Sequence, residues 1–155
     1  MRLGGKVSTG QPHLTLASVW HDDDIWELRI HVSDGQNSFT TQVYQAHADQ
    51  HQWVAQLTTF SRQVCGGLLD LQLGHFGPEY AAGAVHLRFH FLAQQKIHLS
   101  IHGQSDFYAF GQKNVASEAR LYFIVEPAQL DRFVAQLQSL KRTAGDEARL
   151  LGVTA

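Results

Sequence analysis

A chain of 155 residues is long enough for one domain with a sizeable core and too short for several. Its formal charge of −2, with lysine and arginine scattered singly apart from Lys141-Arg142, gives no general drive toward nucleic acid or an anionic membrane. One cysteine, Cys65, excludes an internal disulfide and a cysteine-rich zinc site. It also suits a reducing compartment. The N-terminal Met1-Arg2-Leu3-Gly4-Gly5-Lys6 lacks the apolar core of a signal peptide, and no apolar run reaches membrane length. A soluble cytoplasmic protein is therefore expected. Ten histidines are the unusual count, so the surface should become more basic below about pH 6.5.

Residues 1–12, rich in glycine, serine and threonine, read as a flexible lead-in to a single domain over 13–145. A first strand is expected over His13–Trp20, followed by the polar turn His21-Asp22-Asp23-Asp24. The three adjacent carboxylates lack the ligand alternation of a calcium loop and read as a solvated turn. From Ile25 to Ser33 the pattern alternates, with Trp26, Leu28, Ile30 and Val32 inward and Glu27, Arg29 and His31 outward. Asp34-Gly35 turns the chain into a third strand over Ser38–Gln45. The period then lengthens: Trp53, Leu57, Phe60 and Val64 share one helical face, with Val54 on its flank. Asp49 and Gln52 have capping-box spacing, and Gly66-Gly67 is the expected stop.

Four more strands are expected, over Leu68–Leu73, Val85–Leu92, Lys96–His102 and Ala119–Val125. Glu126-Pro127 opens a second helix, because proline at the first helical position gives up no needed hydrogen bond. Its apolar stripe is Leu130, Phe133, Val134, Leu137 and Leu140; Lys141 and Arg142 suit its C-terminal dipole, and Gly145 marks its stop. Residues 146–155 read as a tail or a short extra turn. The result is an α+β domain, a mostly antiparallel sheet in the order βββαββββα with two amphipathic helices packed on it. A two-sheet sandwich flanked by helices is the alternative.

Val85-His86-Leu87-Arg88-Phe89-His90-Phe91 and Ile97-His98-Leu99-Ser100-Ile101-His102 form the most distinctive pair of strands. A turn at Ala93-Gln94-Gln95 makes them a hairpin that sets His86, His90, His98 and His102 on one face. If Phe91 pairs with Ile97, His90 opposes His98, His86 opposes His102 and Arg88 faces Ser100; a two-residue slip would pair His90 with Ser100. Opposed imidazoles could share a metal ion such as zinc. Against that, the hairpin carries no carboxylate and Arg88 would repel a cation, so a plain solvent-facing surface is the simpler reading and no cofactor is expected.

Two connections are rich in aromatics. Gly103-Gln104-Ser105-Asp106-Phe107-Tyr108-Ala109-Phe110-Gly111 holds three between glycines, and Gly74-His75-Phe76-Gly77-Pro78-Glu79-Tyr80 adds two. Exposed aromatics on loops resemble the anchors of protein interfaces, which makes Phe76, Tyr80, Phe107, Tyr108 and Phe110 the partner-binding candidates. The competing structural reading makes Phe107–Phe110 an edge strand or a cover for the core. There is no Gly-x-Ser-x-Gly elbow, no His-Glu-x-x-His helix and no phosphate-cradling glycine loop, so no catalytic residue is assigned. Cys65, at a helix end where the dipole disfavours a thiolate, is a poor nucleophile.

The order of elements, together with Trp26-Glu27-Leu28-Arg29-Ile30-His31-Val32-Ser33-Asp34-Gly35, the Trp53–Phe60 helix, the Val85–Phe91 and Ile97–Ile101 strands, and Leu121-Tyr122-Phe123-Ile124-Val125-Glu126-Pro127 with Leu130 and Phe133, resembles the small bacterial toxin-immunity proteins of the WapI type and related uncharacterised bacterial domains. The likeness is of pattern, spans Trp20 to Leu140, and does not extend to the aromatic insert from Gly103 to Val115. It implies a cytoplasmic protein that binds a cognate toxin and blocks it without catalysis of its own, and it brings no catalytic residues.

Overall fold

The computed structural model describes residues 10–63, 66–92 and 95–154. The alternating segments form strands, beginning with β1 (His13–His21), β2 (Ile25–Ser33) and β3 (Ser38–Ala46), then helix α1 (Ala48–Ser61). After α1 come β4 (Leu68–Gly74), β5 (Ala84–Leu92), β6 (Lys96–Gln104), β7 (Tyr108–Phe110), β8 (Lys113–Val115) and β9 (Glu118–Val125). Helix α2 (Pro127–Gln138) and β10 (Glu147–Leu151) complete the order. This is an α+β fold of antiparallel sheets with helices packed on them. The strands divide into two four-stranded sheets, β10-β1-β2-β3 and β4-β5-β6-β9, and β7 pairs with β8 in a separate hairpin. No helix among the described residues is long and apolar enough to cross a membrane.

One core serves both sheets. Leu14, Trp26, Leu28 and Ile30 from the first sheet and Leu87, Phe89, Ile97 and Leu99 from the second are all buried in a single apolar cluster. Helix α1 joins the sheets: Trp53 lies 6.1 Å from Trp26 between ring centroids, while Phe60 lies 6.0 Å from Phe89 and 5.6 Å from Phe91. Helix α2 buries Leu130, Phe133 and Leu137 and lies against α1 and β10. The two helices are also tied by polar contacts, since Gln50 Nε2 of α1 donates to the Leu137 and Leu140 carbonyls, both at 2.8 Å. Those carbonyls belong to the last turn of α2 and to the second residue past its end, where backbone acceptors lack helical partners.

Several expectations need correction. Asp49 does not cap α1: the N-cap is His47, and Asp49 sits inside the first turn. Its carboxylate instead accepts from Ala46 N–H at 3.1 Å and Gln45 Nε2 at 2.6 Å, fastening the helix to β3. The capping-box pattern occurs at α2, where Gln129 Oε1 accepts from Glu126 N–H at 3.1 Å and Pro127 opens the helix. Helix α1 ends at Ser61, before the Gly66-Gly67 pair. Those glycines begin the pairing with β5 instead, with Gly66 N–H donating to Phe91 O and Phe91 N–H to Gly67 O. Lys141 and Arg142 lie beyond α2, and Arg142 donates to His47 O and covers the Trp26 ring at 5.4 Å.

The largest correction concerns residues 146–155. Residues 147–151 are not a tail: they form β10, which pairs with β1 from Ala17↔Glu147 to His13↔Leu151, and Ala148 and Leu150 are fully buried. Val64, Cys65, the turn residues Ala93 and Gln94, and residues 1–9 of the expected lead-in fall outside the described residues.

The completed topology repeats itself. β1 and β2 have nine residues each, joined by residues 22–24; β5 and β6 have nine residues each, joined by residues 95 and its two predecessors. Each pair is followed by a third strand and a helix, and each sheet gains a further strand beside the first. The halves also cover one another's open edges, with Gly83 N–H bonded to Gln42 O on β3 and Val153 N–H to Ile124 O on β9. Such covering protects strand edges that would otherwise invite pairing with other chains.

Candidate functional site

Where the two halves depart from one another is informative. The β2–β3 connection closes in residues 34–37, but its counterpart between β6 and β9 runs from 105 to 117 and builds the β7–β8 hairpin. The short turn is held by Asp34, whose Oδ1 accepts from Gln36 and Asn37 N–H at 2.9 and 2.8 Å. The long one is clamped at its root by Ser105 N–H to Ser117 O and Ser117 N–H to Ser105 Oγ, both 2.9 Å. Beyond the clamp, β7 pairs only with β8, with Tyr108 opposite Val115 and Phe110 opposite Lys113.

Tyr108 and Phe110 therefore sit on one face of a projecting arm. Phe110 is 66% exposed and Tyr108 47%, which rules out a core role for these two. Tyr108 Oη is fixed by Ser117 Oγ at 2.9 Å. Phe107 is half-buried at the arm's base. The β4–β5 connection emerges at the same end of the sheet, because Gly74, Ala84, Gln104 and Glu118 form one cross-strand row. Gly77 N–H donates to Gln104 Oε1 at 3.1 Å and links the two connections. Tyr80 is exposed and stacks on His75 at 4.8 Å, whereas half-buried Phe76 stacks on His102 at 4.9 Å. All five aromatic candidates thus lie on two linked connections at one end of the second sheet.

A cleft of about 350 Å³ opens beside them, between the outer face of the first sheet and the roots of both connections. Glu27, Arg29, Thr40, Tyr44, Gly83 and Asp106 line it. Sequence reading placed Glu27 and Arg29 outward but missed Tyr44 and Asp106, which reach the cleft only through β3 pairing and the hairpin root. Gly83 is required where the chain enters: an added Cβ would lie 2.4 Å from the Gln104 carbonyl oxygen.

Of the two registers the hairpin allowed, the structure has the one that pairs Phe91 with Ile97: His86 faces His102, His90 faces His98 and Arg88 faces Ser100. Their neighbours were not expected. Asp70 of β4 accepts from Arg88 Nε and Nη2 at 2.8 and 3.0 Å, with His86 Nε2 at 3.2 Å from Asp70 Oδ1. Glu118 Oε1 accepts from His102 Nε2 at 2.6 Å. The Arg88 guanidinium is the main cause holding the Asp70 carboxyl below its ordinary value. Arg88 therefore neutralises the nearest carboxylate rather than standing as a free charge. Period-two alternation on β4 and β9 was the signal that could have found Asp70, Arg120 and Tyr122, since all three occupy outward positions. Among the described residues no group of three or more histidine, cysteine and acidic side chains converges as a metal site.

No known protein family, curated protein or solved structure significantly matches this chain.

Proposed function

We propose that this is a protein-binding module without catalysis of its own, a toxin-neutralising immunity protein acting in the cytoplasm, whose contact surface centres on the β7–β8 arm. The supporting observation is the arm itself. One of two matching connections carries an insertion that presents exposed Tyr108 and Phe110 on a clamped two-stranded scaffold. Rigid aromatics bury large apolar area at low entropic cost, which is why such residues dominate binding energy at interfaces. Tyr80 on the neighbouring connection extends the same surface, and half-buried Phe76 and Phe107 lie on the same two connections.

The test replaces Phe110 with a photocrosslinking phenylalanine analogue in the full chain, with Arg132 on α2 as the control position. A partner protein crosslinked from position 110 and not from 132, and lost on Tyr108→Ala, is the expected result. Loss of one such anchor should weaken binding by roughly 2 kcal/mol, about 30-fold. Absence of a position-specific adduct overturns the reading. If the partner is an enzyme inhibited by stoichiometric addition of this protein, the immunity role holds; binding without inhibition removes it.

A further inference from the structure

We propose that the outer face of the second sheet docks an acidic segment of a partner protein, with an affinity that rises as pH falls through the histidine range. The inference rests on the protein-binding reading and supplies the chemistry of the partner. Strand pairing sets four complete rows on this face: Leu68-His90-His98-Ile124, Asp70-Arg88-Ser100-Tyr122, Gln72-His86-His102-Arg120 and Gly74-Ala84-Gln104-Glu118. A shallow depression of about 310 Å³ lies among Arg88, Arg120, His86, His102, Ser100 and Tyr122. Tyr122 is 62% exposed, so no other described residue covers the centre of the face.

Charge decides the class of partner. The rows hold two arginines and four histidines, and the acids facing them are Asp70 on β4 and Glu118 at the start of β9. Asp70 is engaged by Arg88 and His86, and Glu118 by His102. The Arg120 side chain makes no hydrogen bond or ion pair with another described residue, although its backbone belongs to the β6–β9 ladder. Lys96, at the start of β6, is matched by Glu126 at 3.5 Å, and Asp34 lines the neighbouring cleft with His98 and Tyr122. With neutral imidazoles the arginines and the facing acids balance. With protonated imidazoles the face is strongly cationic in a chain whose formal net charge is −2. Aspartate and glutamate stay largely ionised at about pH 5.5, so an acidic segment gains attraction over the same interval. The face is also continuous with the aromatic end, because the Phe76 ring lies nearly parallel to His102, 14° between planes. A partner gripping the arm would reach these rows directly.

The experiment measures binding of a fluorescent glutamate-rich peptide of about eight residues to the full chain at about pH 8 and about pH 5.5. Arg120→Glu tests the face, and Arg132→Glu on α2 makes the same change in net charge elsewhere. Binding at least roughly tenfold tighter at the lower pH, lost in Arg120→Glu and retained within about twofold in Arg132→Glu, is expected. Replacing His86, His90, His98 and His102 by glutamine should abolish the pH dependence. Equal weakening by both charge reversals, or equal affinity at the two pH values, overturns the proposal. So does an RNA oligonucleotide that binds more tightly than the peptide through Arg120. The two readings fail separately. A partner crosslinked at position 110 and indifferent to Arg120→Glu removes the acidic contact alone. Arg120-dependent peptide binding without any crosslink at 110 removes the arm alone.

Discussion

Single polar side chains in this protein decide how the apolar elements meet. Ser18 is buried beside fully buried Trp26; its hydroxyl accepts from Trp26 Nε1 at 3.0 Å and donates to Lys141 O at 2.5 Å. It thereby satisfies an indole that the core needs for its area and pins the segment after α2 to β1. On the opposite face of the same sheet, His31 is half-buried, 5.2 Å from His13 between ring centroids. Burial first, then the positive charges of His13 and Arg149, hold its imidazole below the ordinary histidine value. The unfolded chain then binds the proton more readily than the folded one, so stability falls as pH drops below about 6.5 and through the folded value. Asp22 and Asp34 act in the same direction at lower pH, because the backbone N–H groups of Ile25 and Asp24, and of Asn37 and Gln36, favour their ionised forms. Their contribution is present above about pH 4 and lost in stronger acid. Urea denaturation across this range should show His31→Gln flattening the fall between about pH 7 and pH 5, and Asp34→Asn flattening only the part below about pH 4. A His31→Gln variant with the wild-type slope would mean that its burial costs the protonated form nothing.

At the level of elements, the β7–β8 arm and β10 are opposites. The arm makes its own two-stranded sheet, and its aromatics are mostly open to water. By contrast, β10 is a strand of the first sheet with two residues in the core. The arm should therefore be removable. Its counterpart shows how: Asp34-Gly35-Gln36-Asn37 joins β2 to β3 with Asp34 bonding the turn backbone. Replacing residues 106–116 with Asp-Gly-Gln-Asn closes a shorter loop and leaves the Ser105 and Ser117 positions to continue β6 and β9. Shortening a flexible connection changes closure entropy by about 1 kcal/mol, so Tm should move by only a few degrees. Binding of a partner that crosslinks at position 110 should vanish in the same variant. A collapse in Tm would instead make the arm a structural cover, the competing reading of Phe107–Phe110.

For the whole molecule, the parts legible in sequence are those governed by local periodicity. Alternation marked the strands at Ile25–Ser33, Val85–Leu92 and Lys96–His102, and the short turn left His90 opposite His98 as one of two registers. What escaped depends on partners far along the chain. In Glu147-Ala148-Arg149-Leu150-Leu151 only Ala148 and Leu150 turn inward, too few to announce a strand, and its mate β1 lies at the other end of the sequence. Asp70 and Arg120 join the histidine rows through two further strand pairings. That same distance has an energetic consequence. Since β10 follows α2 yet completes the first sheet, and α1 touches aromatic residues of both sheets, neither half owns a finished core. Unfolding should then be one cooperative event, as is usual for a domain of this size. Leu150→Ala tests it from the far end. The side chain is fully buried and its loss should cost about 2–5 kcal/mol. Fluorescence of buried Trp26 and Trp53 reports the first half and far-UV circular dichroism reports both sheets; the two urea transitions should coincide in the wild type and shift together in the variant. Separated transitions, with the tryptophan signal alone displaced, would show that the halves unfold independently and that the shared core couples them only weakly.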